Sequence, residues 1–232
     1  MAVYTISDLH LPLGVDKPMD IFGAAWANYV ERLRENWLSV ITPEDTVVLG
    51  GDFSWAMYLE ESKKDFEFLS SLPGKKILLK GNHDYWWTTA NKLKNFTLEN
   101  GWADVAFLHN NFFEADGLAI CGSRGWLVPQ GTLTGDDKKI YDRELLRLEA
   151  SIHSAKKNGY ENIAVFLHFP PLLKDWRQNP MVELLEKEEI KNCYYGHLHM
   201  AGAKNAFQGE LNGVNYKLCA CDFLGFMPIR VI

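Results

Sequence analysis

The sequence predicts a protein of the α/β class. Short apolar runs rich in β-branched residues alternate with segments whose apolar residues recur every three or four positions. The chain has 232 residues, of which 47% are apolar, so it is long enough to bury a sizeable core. Because no repeat, low-complexity tract or linker divides the sequence, we expect a single domain over residues 1–232.

The first part of the chain shows a strand–helix alternation. Apolar runs predict strands at residues 2–6, 46–49 and 76–79. Helical spacing of aromatic and aliphatic residues predicts a long helix over 19–41 and a second over 60–72. Pro73 and Gly74 end the second helix, because neither residue continues a helix well.

The remainder of the chain is richer in strands. Helical patterns cover residues 86–99 and 143–157, and Asn158-Gly159 ends the latter. β-branched or aromatic content predicts strands at residues 105–108, 118–121, 163–167, 193–195, 214–219 and 229–232. Residues 122–142 lack a clear period, which at this length is typical of a functional loop.

Charge and composition exclude several classes of function. The net charge of -6 argues against long nucleic acid as a partner, since a basic surface is needed to hold its backbone. No apolar run approaches the roughly 20 residues that span a bilayer, and the N-terminus lacks a signal-peptide pattern. With only four cysteines, a disulfide scaffold is not expected. We therefore expect a cytoplasmic protein with reduced thiols.

Ligand-type side chains follow five of the predicted strands directly. In open α/β sheets the carboxyl ends of the strands line one crevice, so these clusters are expected to converge on one pocket. Five of the seven histidines belong to them. The clusters contain Asp8 and His10, then Asp52, then Asn82, His83 and Asp84, then His168, and finally His197 and His199.

The spacing and chemistry of these residues predict a metal site. Asp8 and His10, like His197 and His199, are two residues apart, which in an extended chain points both side chains to one side. Imidazole, carboxylate and amide ligands suit Mn²⁺, Zn²⁺ or Fe²⁺. These residues outnumber the four ligands that one tetrahedral ion takes, so two ions bridged by the Asp52 carboxylate are the economical arrangement.

Taken in order, the five clusters resemble the calcineurin-like metallophosphoesterase superfamily. The resemblance implies a two-sheet β-sandwich with helices on both outer faces. It also implies that Asp52 bridges two metal ions, with Asp8, His10 and His199 on the first and Asn82, His168 and His197 on the second. The motifs are Asp8-X-His10, Gly51-Asp52, Gly81-Asn82-His83-Asp84, His168 and Gly196-His197-X-His199.

One position departs from the pattern of that superfamily. Many members have a second Asp three residues after the bridging one, whereas this chain has Trp55. The departure removes no metal ligand. It argues against the branch of eukaryotic-type serine/threonine protein phosphatases.

The expected chemistry is hydrolysis of a phosphomonoester or phosphodiester of a small molecule. Two divalent ions, with Mn²⁺ favoured and Fe or Zn²⁺ as alternatives, would hold a bridging hydroxide for in-line attack on phosphorus. His83 would donate a proton or hydrogen bond to the leaving oxygen, and Asp84 would orient the His83 imidazole. Arg124, between glycines after a strand, is a candidate for phosphate contact, with an ordinary surface arginine as the alternative.

Two questions stay open at the level of sequence. The fold could serve as a catalytically silent scaffold that binds a protein partner, although every expected ligand position carries a usable residue. The tryptophans near the motifs, Trp55, Trp86, Trp87, Trp126 and Trp176, could stack on a nucleobase, but core or rim packing is the expectation for most of them.

Overall fold

The computed structural model describes residues 1–231 and contains two β-sheets. The strands are numbered in chain order. The first sheet consists of β1 (Val3–Ile6), β2 (Thr46–Leu49), β3 (Lys75–Leu79), β4 (Val105–Leu108) and β11 (Ile229–Arg230). The second consists of β5 (Phe112–Ala115), β6 (Leu118–Ser123), β7 (Ile163–Leu167), β8 (Asn192–Tyr195), β9 (Gly209–Leu211) and β10 (Val214–Leu218).

The topology explains why the strand ends converge. The spatial order is β11-β1-β2-β3-β4 in the first sheet and β5-β6-β7-β8-β10-β9 in the second. Strands β1 to β4 are parallel to one another, as are β6, β7, β8 and β10. Antiparallel strands β5, β9 and β11 lie at sheet edges. The carboxyl ends of the parallel strands therefore share one edge in each sheet.

The helices divide between the two outer faces. Helices α1 (Tyr29–Val40), α2 (Lys63–Ser71) and α3 (Ala90–Glu99) share a core with the five-stranded sheet. Helices α4 (Gly135–Lys157) and α5 (Pro180–Lys187) share a core with the six-stranded sheet. Short 3₁₀ helices lie at Met19–Phe22, Ala24–Trp26, Leu59–Ser62 and Met200–Asn205.

Alternation along the buried strands builds a third core between the sheets. In β2, Val47 packs with the helices while Val48 faces the other sheet. In β7, Val165 packs with the helices while Phe166 faces the first sheet. Both faces of each strand are thus apolar, which gives continuous hydrophobic runs. The predicted α/β sandwich of two sheets between two helical layers is confirmed.

Two predicted helices are shorter than their hydrophobic patterns suggested. The segment 19–41 is a long helix only from Tyr29 onward, because Gly23 (φ 125°) and Asn28 (φ 50°) adopt positive-φ conformations that interrupt helical bonding. The helix predicted over 86–99 begins at Ala90, after Thr89 whose hydroxyl accepts a bond from the Lys92 amide.

Elsewhere the structure contains more regular secondary structure than the sequence predicted. The stretch 122–142, predicted as a loop, is irregular only over 124–134, because β6 extends to Ser123 and α4 begins at Gly135. Strands β5 and β9 and helix α5 were not among the predicted elements. The two strands lie at the edges of their sheet and are only partly buried, so they lack a continuous apolar run. The predicted strand at 229–232 is formed by β11, and its last residue lies outside the described residues.

Two composition-based expectations concern membranes and thiols. Within residues 1–231, none of the helices combines the length and the apolar character that crossing a bilayer requires. All four cysteines are buried and free. Burial raises the pKa of Cys121 to about 12, so this thiol stays protonated at neutral pH.

Candidate metal centre

The predicted ligand residues meet where the two sheets adjoin. Their loops are joined by backbone hydrogen bonds, from the Asp8 amide to Gly51 O at 2.9 Å and from the His10 amide to Asp52 O at 2.9 Å. A bridge between Ser7 and Ala220, and a bond from the Gly196 amide to His168 O at 3.1 Å, join further strand ends. The clusters therefore come from β1, β2 and β3 of one sheet and β7 and β8 of the other.

One group of donors contains Asp8, His10 and His199. The Nε2 atoms of His10 and His199 lie 3.3 Å apart. His199 Nε2 also lies 3.2 Å from Asp8 Oδ1. One potential ligand atom from each residue lies within 4.8 Å of the others. Two nitrogens and one carboxylate oxygen at these separations can contact a single cation.

A second group lies around Asp52 and His168. His168 Nε2 is 2.7 Å from Asn82 Oδ1 and 3.5 Å from Asp52 Oδ2. The same Asp52 oxygen is 3.8 Å from His10 Nε2 in the first group. Asp52 thus lies between the two groups of donors.

His197 approaches this second group differently. Its ring centroid is 5.1 Å from that of His168 and 4.2 Å from that of Phe169. Its backbone amide donates to the Asp8 carboxylate, 3.0 Å from Oδ2. The structure therefore brings His197 beside the His168 imidazole, while its main chain fixes a carboxylate of the first group.

Four candidate ligands adopt left-handed backbone conformations. The φ angles are 63° for Asp8, 47° for His10, 51° for Asp52 and 69° for His197. The sequence analysis expected an extended chain to point both members of each pair to one side, and the left-handed conformations correct that expectation. Leu9, between Asp8 and His10, is buried in the core. Such conformations cost about 1–3 kcal/mol each and persist where surrounding bonds impose them, often at functional sites.

Two glycines permit the close approach of these loops. A Cβ at Gly81 would lie 2.0 Å from Asp52 Oδ1 and 2.3 Å from its amide nitrogen. A Cβ at Gly196 would lie 2.1 Å from Ser7 Oγ and 2.3 Å from Asp8 Oδ2. Each glycine therefore lies against a carboxylate of the cluster, and a side chain at either position would displace it.

Asp84 occupies a different place from the one predicted. Within the described residues its carboxylate accepts no bond from the His83 imidazole. Because it is completely buried, its charge is satisfied by nearby donors, which belong mostly to the backbone of the ligand loops. Those donors are the amides of Asp52 (2.9 Å), Phe53 (2.9 Å), Ser54 (3.4 Å) and Gly81 (2.7 Å), and Trp86 Nε1 (2.9 Å).

Asp222 contacts the cluster, although the sequence did not reveal it. Its Oδ1 lies 2.8 Å from His199 Nδ1, and its Oδ2 accepts the Met200 amide at 2.9 Å. The contact directs His199 Nε2 toward Asp8 and fixes the orientation of the ring. Asp222 follows β10, 23 residues after His199, in a segment without any recognisable ligand motif.

The pKa values of the Asp8 and Asp52 carboxylates are shifted in opposite directions. Burial disfavours the charged form of Asp8, but the adjacent His199 and His168 outweigh burial and hold its pKa below the ordinary range. Burial, reinforced by the negative charge of Asp8, raises the pKa of Asp52 to about 8. The Asp52 carboxylate thus lacks compensating positive charge, which a divalent cation supplies.

The pKa values of His199 and His197 are also shifted in opposite directions. Burial would lower the pKa of His199, but Asp8 and Asp222 raise it to about 10. Burial and repulsion from His168 lower the pKa of His197 to about 4. His197 is therefore neutral at neutral pH, whereas His199 must lose a proton before its ring can bind a cation. Imidazoles beside carboxylates are a donor set that fits Mn²⁺, Fe or Zn²⁺.

His83 lies beside the cluster, in a pocket of aromatic side chains. Its backbone amide donates to Asp52 Oδ1 at 2.7 Å, and its ring is 4.8 Å from Trp55 and 5.7 Å from His10. Burial lowers the pKa of His83. This aromatic pocket has a volume of about 170 Å³ and is lined by His10, Met19, Phe22, Trp26, Trp55, His83, His199 and Met200.

The tryptophans near the motifs have separate roles. Trp86 is buried in the core, as expected, and Trp87 packs against Phe107. Trp55 is the exception, because it stacks on His10 with ring centroids 4.7 Å apart and lines the aromatic pocket. Trp176 is 42% exposed.

Arg124, the candidate for phosphate contact, lines a different cavity. Its guanidinium lies over the Trp126 ring at 4.6 Å and 3.7 Å from Glu144 Oε1. Its side chain is 19% exposed. Its backbone oxygen accepts the amides of His168 (3.2 Å) and Phe169 (2.9 Å), which fixes the loop beside the cluster.

Comparison with known structures agrees with this architecture. Protein AQ665 of unknown function from Aquifex aeolicus is 19% identical, with a TM-score of 0.53 over 99% of this chain and 95% of that one. Phosphopantetheinyl hydrolase from Mycobacterium tuberculosis is 14% identical, with a TM-score of 0.52 over 100% and 95%. TT1561 from Thermus thermophilus is 14% identical, with a TM-score of 0.53 over 85% and 81%. At these identities the similarity concerns the fold.

Comparison with curated proteins gives no match. The family model described as calcineurin-like phosphoesterase matches residues 1–201, a range that contains every predicted ligand. Together with the two-sheet fold and the convergence of these ligands on one edge, this match shows that the chain belongs to the calcineurin-like phosphoesterase family.

Proposed function

We propose that this protein is a binuclear metal-dependent phosphoesterase that hydrolyses a phosphomonoester or phosphodiester of a small molecule. One observation carries the proposal. Asp52, from the first sheet, directs one carboxylate oxygen toward both His10, at 3.8 Å, and His168, at 3.5 Å. A carboxylate between two imidazoles is the arrangement expected of a ligand shared by two cations.

The ligands divide according to the two groups of donors. Two divalent ions, Mn²⁺ in our proposal with Fe or Zn²⁺ as alternatives, would acidify a water for in-line attack and offset charge on the phosphate oxygens. Asp52 would be the shared ligand. Asp8, His10 and His199 would hold the first ion, and Asn82, His168 and His197 would hold the second.

His83 is assigned to the leaving group. Its ring lines the aromatic pocket next to His10 and Trp55, and within the described residues its imidazole forms no hydrogen bond that would occupy it. An N–H group in this position can donate to the leaving oxygen of an ester whose organic group enters the pocket.

Two further residues act by positioning. Asp84 holds the backbone of the Asp52 loop and of Gly81, so it maintains the place of the shared ligand. Asp222 holds the His199 ring. Both are buried or bonded partners of ligand loops, and such partners contribute to metal affinity without contacting the metal.

Hydrolysis of two chromogenic esters tests the proposal. Bis-p-nitrophenyl phosphate and p-nitrophenyl phosphate would be compared with Mn²⁺-loaded protein, a chelated sample and the His83→Ala variant. We expect metal-dependent hydrolysis of at least one ester, and a loss of about a hundredfold or more in His83→Ala with metal content retained. His153→Ala, an imidazole 53% exposed on α4, is the matched control.

Each outcome has a defined meaning. Preference for the diester directs the search for the substrate to diesters, and preference for the monoester to phosphorylated metabolites. Loss of metal in His83→Ala would make His83 a ligand. No hydrolysis of either ester by metal-loaded protein would contradict the proposal and favour a scaffold that binds a protein partner.

A further inference from the structure

A second cavity continues the row of strand ends that carries the metal ligands. It has a volume of about 340 Å³, in the range of small-molecule sites. Its walls include Lys80 after β3, His109 after β4, Arg124 after β6, and residues of α4. The candidate ligands follow β1, β2 and β3 and β7 and β8. Since β4 neighbours β3, and β6 neighbours β7, the cavity extends the same edge by one strand in each sheet.

The charge of this cationic cavity is strongly unbalanced. Among the described residues, the lining contains one carboxylate, that of Glu144, and four cationic side chains, those of Lys80, Arg124, Arg143 and Arg147. This formal excess of three positive charges stands in a chain whose net charge is -6. A concentration of positive charge against the sign of the whole protein is a local feature that needs a local explanation.

Glu144 cannot neutralise the cavity. Its side chain is 1% exposed, and its Oε1 lies 2.6 Å from Arg147 Nη1 and 3.7 Å from Arg124 Nη2. Within residues 1–231, neither Lys80 nor Arg143 has a carboxylate at ion-pair distance. These cations face one another around a cavity with too little negative charge to balance them, and an anion entering the cavity would relieve their repulsion.

The cavity is adjacent to the candidate metal centre. Lys80 precedes Gly81 and Asn82 in the chain, and the Arg124 carbonyl accepts the His168 amide at 3.2 Å. The Arg124 guanidinium also interacts electrostatically with Asp52. One small molecule can therefore have one group at the metal centre and another in the cationic cavity.

We propose that the cationic cavity binds a second phosphoryl group of the substrate, so that the preferred substrates are small molecules with two separate phosphoryl groups. The inference rests on the proposed phosphoesterase function. Arginine guanidinium groups match phosphate oxygens with paired hydrogen bonds, and three arginines line the cavity. The acidic net charge disfavours a long polyanion, which would contact much more of the surface.

Competition by non-hydrolysable phosphonates tests this inference. Inhibition of p-nitrophenyl phosphate hydrolysis by α,ω-alkane bisphosphonates of increasing length would be compared with that by alkyl monophosphonates of equal length, using Mn²⁺-loaded full-length protein. We expect the best bisphosphonate to bind about tenfold or more tightly than its monophosphonate, because the second group binds intramolecularly.

Substitutions in the cationic cavity test whether its side chains cause the preference for bisphosphonates. Lys80→Gln combined with Arg143→Gln should reduce the ratio of the two affinities to about two, the statistical value for two equivalent ends. Arg143→Gln alone, on the exposed side of α4, should reduce it in part without affecting folding. Lys157→Gln, an exposed cation on the same helix, is the charge-matched control and should keep the full ratio.

Failure of this inference is distinguishable from failure of the proposed function. If neither chromogenic ester is hydrolysed, the same two affinities can be measured by calorimetric titration of each phosphonate into the metal-loaded protein. A wild-type protein without bisphosphonate preference at any chain length would overturn the inference. So would a full preference retained by the double variant.

Discussion

The aromatic pocket and the cationic cavity adjoin different groups of metal ligands, and their surfaces differ in kind. His10 and His199, of the first group, are themselves part of the aromatic pocket. The cationic cavity begins at Lys80 and Arg124, next to Asn82 and bonded to His168 of the second group. In our proposal, the organic group of the substrate is recognised on one side of the candidate metal centre and the anionic group on the other.

The largest effect is expected from displacing Asp52, which lies between the two groups of candidate ligands. Gly81→Ala would place a Cβ against the Asp52 carboxylate and amide, so the shared ligand must move. We expect kcat/KM to fall about a hundredfold or more, the order of loss caused by misplacing reacting groups by about 1 Å, together with loss of bound metal. Elemental analysis and steady-state kinetics measure both.

Gly202→Ala is the control for this variant. No atom lies within 4 Å of a Cβ built there, so activity should be unchanged. If Gly81→Ala retained full metal content and turnover, the close packing of the two loops would not be required for function.

The next largest effect should be confined to metal binding by Asp8, His10 and His199, the group of donors beside the aromatic pocket. Asp222→Asn removes the charge that holds His199 Nδ1. Loss of such a partner weakens metal affinity by about 10- to 100-fold. Calorimetric titration of Mn²⁺ should show one site weakened and the other preserved. Asp16→Asn, an exposed carboxylate, is the charge-matched control. Equal weakening of both sites would show that the two groups of ligands are not separable.

Trp55 tests the apolar character of the aromatic pocket. Trp55→Ala removes the ring stacked on His10 and next to His83. We expect kcat/KM for an aryl phosphate to fall about tenfold, equivalent to about 1.4 kcal/mol, with a smaller loss for an alkyl phosphate. Trp55→Phe should restore much of the activity, and Trp176→Ala is the exposed control. Equal losses for both esters would argue that Trp55 only supports the ligands.

The smallest expected effect is that of salt, which should weaken binding in the cationic cavity but not in the aromatic pocket. Raising ionic strength from about 0.05 M to about 0.2 M should reduce the ratio of bisphosphonate to monophosphonate affinity about threefold, since screening weakens contacts with partly exposed cations. The ratio of kcat/KM for aryl over alkyl phosphates should not change. The same series of inhibition assays gives both values, and a salt-independent affinity ratio would contradict an electrostatic role for the cavity.

The sequence predicted the parts of the fold that local pattern determines. Apolar, β-branched strands such as β2 and β7 were found because both of their faces are buried. The helix predicted over 19–41 began too early in the chain. The hydrophobic pattern continues through Asn28, whose φ of 50° interrupts the helix. The division into two sheets depends on pairing between distant segments, which periodicity does not encode, and it came from the family resemblance.

The candidate site shows the same limit. Asp8, Asp52 and His168 were recognisable because each lies within three residues of the end of a strand. Among the cavity cations, only Arg124 had a signal, because it lies between glycines after a strand. Asp222 and the arginines of α4 had none, since an Asp in a loop or an Arg on a helix resembles an ordinary surface residue. The role of Asp84 was mistaken because its bonds go to backbone amides, which a sequence motif does not show.

The most direct test of the account is the number of metal ions bound by one chain. Elemental analysis and calorimetric titration with Mn²⁺ would be performed on wild-type protein and on Asp52→Asn, which removes the charge of the carboxylate between His10 and His168. The account predicts two ions per chain in the wild type and a marked loss of both affinities in the variant. A single ion in the wild type, or two ions bound equally well by Asp52→Asn, would contradict it.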